Sequence, residues 1–298
     1  MSDTTAILRR KISGAGDLQS VVRSMRAMAA ASIGQYETSV QALNDYNRTV
    51  ELGLSACFRA HGTIPSSAPG RGQSEGDAIG AVIFGSDQGL VGQFNDVVAD
   101  YAIEKLRALP GTPAVWAVGE RVHARLTDAG LAVVGMFSVP NAVNAIAPLV
   151  GKIQIESESH RTQGAYTRVY VFHNRPRPGA IYEPVHQRLL PLDAGWQQRM
   201  VEVRWPTQNP PEVLGGVAGA LHELIRGYLF ISLFRACAES LASENASRLA
   251  AMQRADKNID DLLQHLRATF HRLRQRRIDE ELFDVVSGYD SLAKTTAP

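Results

Sequence analysis

Apolar residues recur at helical spacing over two very long stretches, one at each end of the 298-residue chain, from about Asp3 to Phe58 and from about Val213 to Ser287. At 1.5 Å per residue such helices would run for ~80 Å and ~110 Å, against the three or four turns of an ordinary globular helix. In the first stretch Leu18, Val22, Met25, Ala29, Ile33, Tyr36, Val40, Leu43, Val50 and Leu54 follow at intervals of three, four or seven, skipping polar Asn47. The second repeats the rhythm through Leu221, Leu224, Tyr228, Ile231, Ala238, Leu241, Asn245, Met252, Ile259, Leu266 and Phe270. Neither helix can bury so narrow a stripe alone, so the spacing predicts that the two chain ends pair as an antiparallel coiled coil, with Asn245 as a polar group that helps to fix its register.

The second stretch is longer by about 20 residues. Its part from about Leu273 to Tyr289 is therefore expected to outreach its mate, which leaves Ile278, Leu282, Phe283, Val285 and Val286 facing water unless something external sheathes them. Gly14, Gly16, Gly34 and Gly53 each weaken the first helix by ~1 kcal/mol relative to Ala, and the Gly14 and Gly16 pair is where it would kink or fray. The mostly small residues from Ala27 to Ser32 permit close approach of another backbone and equally serve helix propensity; both readings stand.

Composition narrows the function classes. Apolar residues make up 45% of the chain, enough for a folded, soluble protein with a real core. The 31 Lys and Arg nearly cancel the 30 Asp and Glu, so no global basic field is available for nucleic acid. No apolar run approaches a membrane span and the first ten residues lack a signal-peptide core, which predicts a cytoplasmic setting without direct membrane insertion. In the antiparallel pairing Cys57 and Cys237 fall on the order of 36 Å apart, so they are expected as two separate buried thiols.

Between the long helices the texture changes. AIGAVIFG reads as a strand, followed by a glycine-rich turn and a helix from about Phe94 to Leu109. PAVWAVG, an amphipathic run from Arg121 to Asp128, LAVVGMFSV, a helix from about Val143 to Ser159 and TRVYVFHNR continue the alternation. This predicts a largely parallel sheet covered by helices with right-handed crossovers. The fold class is thus α/β, with a long antiparallel coiled coil of N- and C-terminal helices and an inserted Rossmann-like α/β domain. The expected division is residues 1–60 for the first helix, 61–77 for a linker centred on the Gly and Ser rich stretch from Gly62 to Gly76, 78–206 for the inserted domain and 207–298 for the second helix.

The turn GSDQGLVGQFN, Gly85 to Asn95, stands where a nucleotide enzyme holds phosphate on backbone amides at a helix start. Its glycines, Gly85, Gly89 and Gly92, do not have the dinucleotide spacing, and Glu120 lies about 30 residues beyond Gly89 rather than about 20. No Lys follows them as in a P-loop. Gly85, Asp87, Gly89, Gly92 and Asn95 are therefore read as a structural or docking loop. His123, His160, His173 and His186 sit on different elements without metal-ligand spacing. No nucleophile, base and acid can be nominated from the sequence order, so neither a catalytic residue, a metal nor a cofactor is expected.

Three regions carry a family resemblance. SMRAMAAASI (Ser24 to Ile33), GSDQGLVGQFN, and SENASRLAAMQRADKN (Ser243 to Asn258) followed by RQRRIDEELFDVVSG (Arg274 to Gly288) resemble, in this order and separation, the gamma subunit of F-type rotary ATP synthases over nearly the whole chain. The resemblance implies a non-catalytic central shaft with no nucleotide of its own, seated in a hexamer of alpha and beta subunits. It also implies that the inserted domain stands on the membrane c-ring beside the epsilon subunit, at the cytoplasmic face of the inner membrane, in a proton- or sodium-translocating complex. Arg274 and Gln275 fall on the family's Arg and Gln pair that touches an acidic loop of the beta subunits. Met25 and Arg26 match the family's Met and basic residue facing the same region, and Arg248 lies in its most characteristic motif. The block Arg267, Arg272, Arg274, Arg276 and Arg277 then has acidic partners, although by itself such a block is as well read as a solvated helix face. Val91 stands where many relatives have Cys, Gln93 replaces a common Gly, and Gly14, Ala15 and Gly16 replace a more polar stretch, which marks a divergent member.

Overall fold

The computed structural model describes residues 2–61, 79–162, 168–209, 211–213 and 216–295. The expected linker from Gly62 to Gly76 lies outside them, as does the side chain of His160. Helix α1 spans Ser2–His61 and the last helix, α6, spans Val217–Thr295. Between them come β1 (Ile79–Phe84), α2 (Phe94–Arg107), β2 (Pro113–Val118), α3 (Glu120–Asp128), β3 (Ala132–Phe137), α4 (Ile146–Thr162), β4 (Arg168–Arg177), β5 (Ala180–Leu190) and α5 (Ala194–Glu202). The chain forms two compact units, Met1–Met28 with Leu249–Pro298, and Ala29–Arg248.

The helical unit is built on a small apolar seam. Val22 from α1 and Met252, Ile259 and Leu263 from α6 are buried, with Ile12, Ala15 and Met25 packed against them. The pairing is antiparallel: Arg9 stacks its guanidinium 5.4 Å from the Phe270 ring, while Gln19, further along α1, reaches back to Asp256. Leu18, expected in the seam, is instead 54% exposed. Its neighbour Gln19 takes the inward position, because the amide finds a carboxylate on α6 and an apolar side chain could not. Past Leu273 every described side chain of α6 up to Ser287 is exposed, and Phe283 reaches 74%.

The larger unit is layered about a five-stranded sheet of order β3-β2-β1-β4-β5. Strands β1 to β4 run parallel, while β5 is antiparallel to β4 at the edge. All six residues of central β1 are buried, as expected for a strand covered on both faces. Its side chains alternate: Ala81 and Ile83 meet Val98, Ala102, Val122 and Leu126 of α2 and α3. Val82 and Phe84 face the opposite layer, where Ile146 and Ile153 of α4 join Tyr36 of α1 and Leu241 of α6. Thus the terminal helices form part of the sheet's second layer within this unit. Here too they pack antiparallel, with Asn44 accepting from Arg235 and Gly53 lying against Leu224.

Two elements were not expected from the sequence, β5 and α5. β5 is an edge strand, half exposed and charged, with Pro184 in a position only an edge tolerates, so its alternation is weak. α5 is fixed by Asp193, whose carboxylate accepts from the Trp196 amide, and its Met200 and Trp196 cover Val50, Leu54 and Phe58 of α1. One stretch of α6, with mean hydropathy 1.3, is apolar enough by length and composition to cross a membrane, contrary to the expectation of no such run. Leu221, Leu224, Tyr228 and Ile231 of this helix pack in the cluster with α1 and α5.

Cys57 and Cys237 are both free and buried, as expected. Burial pushes both thiols up, and nearby Glu244 adds to the effect at Cys237. Since the thiolate is the reactive form, iodoacetamide at pH 8 should label the native chain at least ~10-fold more slowly than the urea-unfolded chain at both positions. Peptide mass analysis reads this directly, and equal rates would mean that these helix faces open.

Candidate functional site

Within the larger unit the loop between β1 and α2 is clamped rather than open. Asp87 uses both carboxylate oxygens inside the protein, one accepting from the Glu120 amide at the start of α3 (3.0 Å) and one from the Val139 amide after β3 (2.9 Å). The Asn95 side-chain oxygen accepts from the Ser86 amide at 2.9 Å, while its Nδ2 donates to Ser86 Oγ at 2.8 Å. Gly85 admits no side chain: a Cβ there would lie 2.4 Å from Val122 Cβ. Gly92 has φ of 58° and Leu90 a φ of 63°, so the loop turns twice through the left-handed region before α2 begins. Gly89 is different, with only the Arg121 guanidinium near it at 3.7 Å.

The loop rests on α6. Ser247 Oγ donates to the Val91 carbonyl at 2.6 Å, and Ser243 Oγ donates to the Asn174 carbonyl at 3.0 Å. Asn174 in turn donates its Nδ2 to the Phe94 carbonyl at 2.9 Å, and His173 contacts Glu239 at 2.8 Å. Hence the small polar residues of the SENAS segment face the sheet domain. The Ser86 amide is taken by the Asn95 side chain and the Gly85 amide by the Val118 carbonyl, so the start of the loop is tied to this chain and the loop braces the sheet domain against α6. Among the described residues no three His, Cys, Asp or Glu side chains gather as a metal ion requires.

Beside the loop lies a polar cavity of about 250 Å³, bordered by Tyr36, Asp87, Asn141, Glu244, Asn245 and Arg248. Arg248 does not extend freely into solvent. Its Nη2 donates to Glu244 Oε1 at 2.6 Å, with the two side chains only 14% and 7% exposed. Burial pushes the Glu244 carboxyl above the usual carboxylate range, and the Arg248 charge and hydrogen bond only partly offset it. Burial, together with that carboxylate, also raises the Tyr36 hydroxyl.

The helical unit holds the remaining candidates. Arg26 Nη1 donates to Asp256 Oδ2 at 2.8 Å, Arg23 Nε to Oδ1 at 3.1 Å, and Gln19 Nε2 to the same oxygen at 3.2 Å. Partial burial opposes the charge on Asp256, yet Arg23, Gln19 and Arg26 hold its carboxyl below the usual range. Met25 lies half-buried in the seam. Further along α6, Arg274 is exposed, whereas Gln275 donates to Asp279 at 3.1 Å and Arg277 to Glu281 at 2.9 Å. Within the helical unit Met25 and Arg26 stand together in the seam with Asp256, while Arg274 and Gln275 lie on the exposed part of α6; within the larger unit Arg248 pairs with Glu244. Asp256 and Glu244 were not singled out from the sequence. Glu244 had a local signal in its i,i+4 relation to Arg248, while Asp256 had none, since its donors lie more than 200 residues away.

Comparison with known proteins agrees with this arrangement. The ATP synthase family pattern matches residues 4–292. The ATP synthase gamma chain of Syntrophus aciditrophicus is 26% identical over 302 residues, covering 96% of this chain and 98% of that one. The gamma chain of Dechloromonas aromatica is 22% identical over 284 residues, covering 94% and 96%. Among solved structures, a chain of the Euglena gracilis mitochondrial ATP synthase assembly of OSCP, F1 and c-ring shares the fold with a TM-score of 0.66, at 14% identity, covering 100% of this chain and 98% of that one. A chain of the rotor of the same organism's enzyme gives 0.61, covering 93% and 100%, again at 14% identity. With the match running almost end to end through paired terminal helices and inserted sheet alike, this chain belongs to the ATP synthase gamma chain family, as a divergent, non-catalytic homologue of the central-stalk rotor.

Proposed function

We propose that this chain is the central shaft of an F-type ATP synthase, coupling ion-driven rotation of a membrane ring to ATP synthesis, or the reverse, in an alpha and beta hexamer. The exposed end of α6 is the observation that carries the proposal. A basic collar at Arg272, Arg274, Arg276 and Arg277 precedes an apolar tip at Ile278, Leu282, Phe283, Val285 and Val286, all exposed to water in the isolated chain. Water is a poor neighbour for such a tip, and a surrounding sleeve of subunits supplies a better one.

In this reading residues 78–206 form the foot that stands on the c-ring beside the epsilon subunit, reached through residues 61–77, while residues 1–60 and 207–298 form the shaft. The complex is peripheral to the cytoplasmic face of the inner membrane. Met25, Arg26, Arg248, Arg274 and Gln275 are the contacts to the hexamer, of which Arg274 and Gln275 are exposed to a passing partner. Exposed ion pairs are worth about 0 to 1 kcal/mol, which suits a surface that must release each beta subunit in turn. No nucleotide or cofactor site belongs to the shaft.

Co-expression with its alpha and beta subunits should recover both in threefold excess over this chain. Replacing both Arg274 and Gln275 by Ala should leave that composition intact and lower hydrolysis by up to about fivefold, the rate equivalent of ~1 kcal/mol. Saturable nucleotide binding by the isolated chain, or absence of both subunits from the purified complex, would remove the proposal.

A further inference from the structure

We infer that Asp256 is a positioning residue that fixes the register of the two helices in their shared unit and holds Arg26 ready for its partner. This deepens the rotor reading and rests on it. Three donors from α1, namely Gln19, Arg23 and Arg26, converge on this one carboxylate from 230 to 237 residues away in sequence. Their spacing of four and three places them on one face of α1, so the carboxylate meets a matched row rather than a chance neighbour. Its side chain is only 14% exposed, whereas Arg23 and Arg26 remain 56% and 41% exposed. The inner end of the cluster is thus fixed, while both guanidinium groups keep an outer surface for a partner.

The apolar seam alone gives little register specificity. Among the described residues only Val22, Met252, Ile259 and Leu263 are buried in it, and a stripe of similar aliphatic side chains can be matched again after a slip of one turn. A slip of one turn moves an α-helix by about 5.4 Å along its axis, which would carry Gln19 or Arg26, depending on its direction, away from Asp256 and leave the neighbouring donors in each other's places. The cost of leaving that partly buried carboxylate with fewer donors opposes the slip. In a rotor, torque acts on this pair of helices, and sliding or twisting between them would dissipate it before it reached the hexamer. The Asp256 cluster prevents this, and at the same time it prevents Arg26 from swinging to another rotamer between encounters.

The test uses the assembled complex in sealed vesicles, reading ATP hydrolysis and, with a membrane-potential dye that reports either ion, charge pumped per ATP. Asp256→Ala should assemble normally and pump about threefold less charge per ATP than the parent, while hydrolysis changes little. Asp256→Glu, which retains the carboxylate, should restore at least half of the loss. In an Arg23→Ala, Arg26→Ala background, adding Asp256→Ala should cause no further drop, since the carboxylate acts through those donors. If Asp256→Ala does not assemble, the isosteric Asp256→Asn should assemble and show the same loss. A parental ratio in the Asp256→Ala or Asp256→Asn complex, a full additional drop in the double-Ala background, or no recovery with Asp256→Glu overturns the inference. Failure of the parent chain to assemble or pump would instead count against the rotor reading.

Discussion

Gly85→Ala is expected to destabilise the chain by about 3 kcal/mol, with Gly89→Ala, only four residues away, changing stability by less than about 0.5 kcal/mol. The added Cβ at Gly85 would lie 2.4 Å from Val122 Cβ, 2.5 Å from Val122 Cγ1 and 2.8 Å from the Asn95 side-chain oxygen. None of these can yield cheaply. Val122 is fully buried on α3, Asn95 is held by two hydrogen bonds to Ser86, and the Gly85 amide itself donates to the Val118 carbonyl at 2.8 Å. The clash would push β1 away from α3 at the place where Gly119, with φ of 116°, already passes within 2.8 Å of the Ser86 backbone, measured from an ideal Cβ. At Gly89 the nearest atom is the end of a flexible Arg121 side chain, which can move. Urea denaturation of the two purified variants checks the contrast. Equal and small effects would show that the loop does not brace β1 against α3 as described.

Arg248→Ala is expected to cost roughly 2–4 kcal/mol at pH 8 and clearly less at pH 5. Removing the guanidinium leaves the Glu244 carboxylate 7% exposed with its one charged partner gone. Burial already raises this carboxyl, and the loss of Arg248 would raise it further. For an acid whose folded value lies above its unfolded one, the folded state binds the extra proton between the two values. Stability therefore falls as pH rises through that window and stays low above it. The parent is less affected because Arg248 opposes the shift, so the gap between the two proteins should widen from pH 5 to pH 8. Urea unfolding of the full-length chain at both values decides the matter, and a gap independent of pH would mean that Glu244 finds another partner or solvent. Lost stability and lost contact with a hexamer are separable here, since the measurement needs the isolated chain alone.

The two predictions concern residues that the sequence marked for another reason. Gly85 stood in a loop that could be weighed as a phosphate cradle, and its actual constraint is a crossing with Val122, 37 positions further on. Arg248 was marked by family resemblance as a contact with other subunits, and the structure adds an internal partnership that any such contact must share. By contrast, the seam residues Val22, Ala29, Tyr36, Val50 and Leu54 of α1, and Tyr228, Ile231, Leu241 and Met252 of α6, were legible from spacing and are buried. The exposed apolar tip from Ile278 to Val286 was equally legible, as a difference in length between two periodic stretches.

What the sequence determined by itself was periodicity: which residues form long helices, which face of each is apolar, which stretches alternate as strand and helix, and which motifs belong together in a family. These follow from local geometry, because a helix or strand imposes its repeat on neighbours a few positions apart. Tertiary structure alone decided that Gln19 rather than Leu18 turns inward, that Asp256 gathers three donors from the other end of the chain, that Asp87 ties its loop to the start of α3 and the end of β3, and that β5 joins the sheet at its edge. The Gln19, Asp256 and Asp87 contacts depend on polar groups finding a specific partner across a long stretch of chain, and β5 on the backbone pairing of a half-exposed strand with its neighbour β4. A hydrogen bond is satisfied by position and direction in space, neither of which is written in the spacing of one side chain from the next.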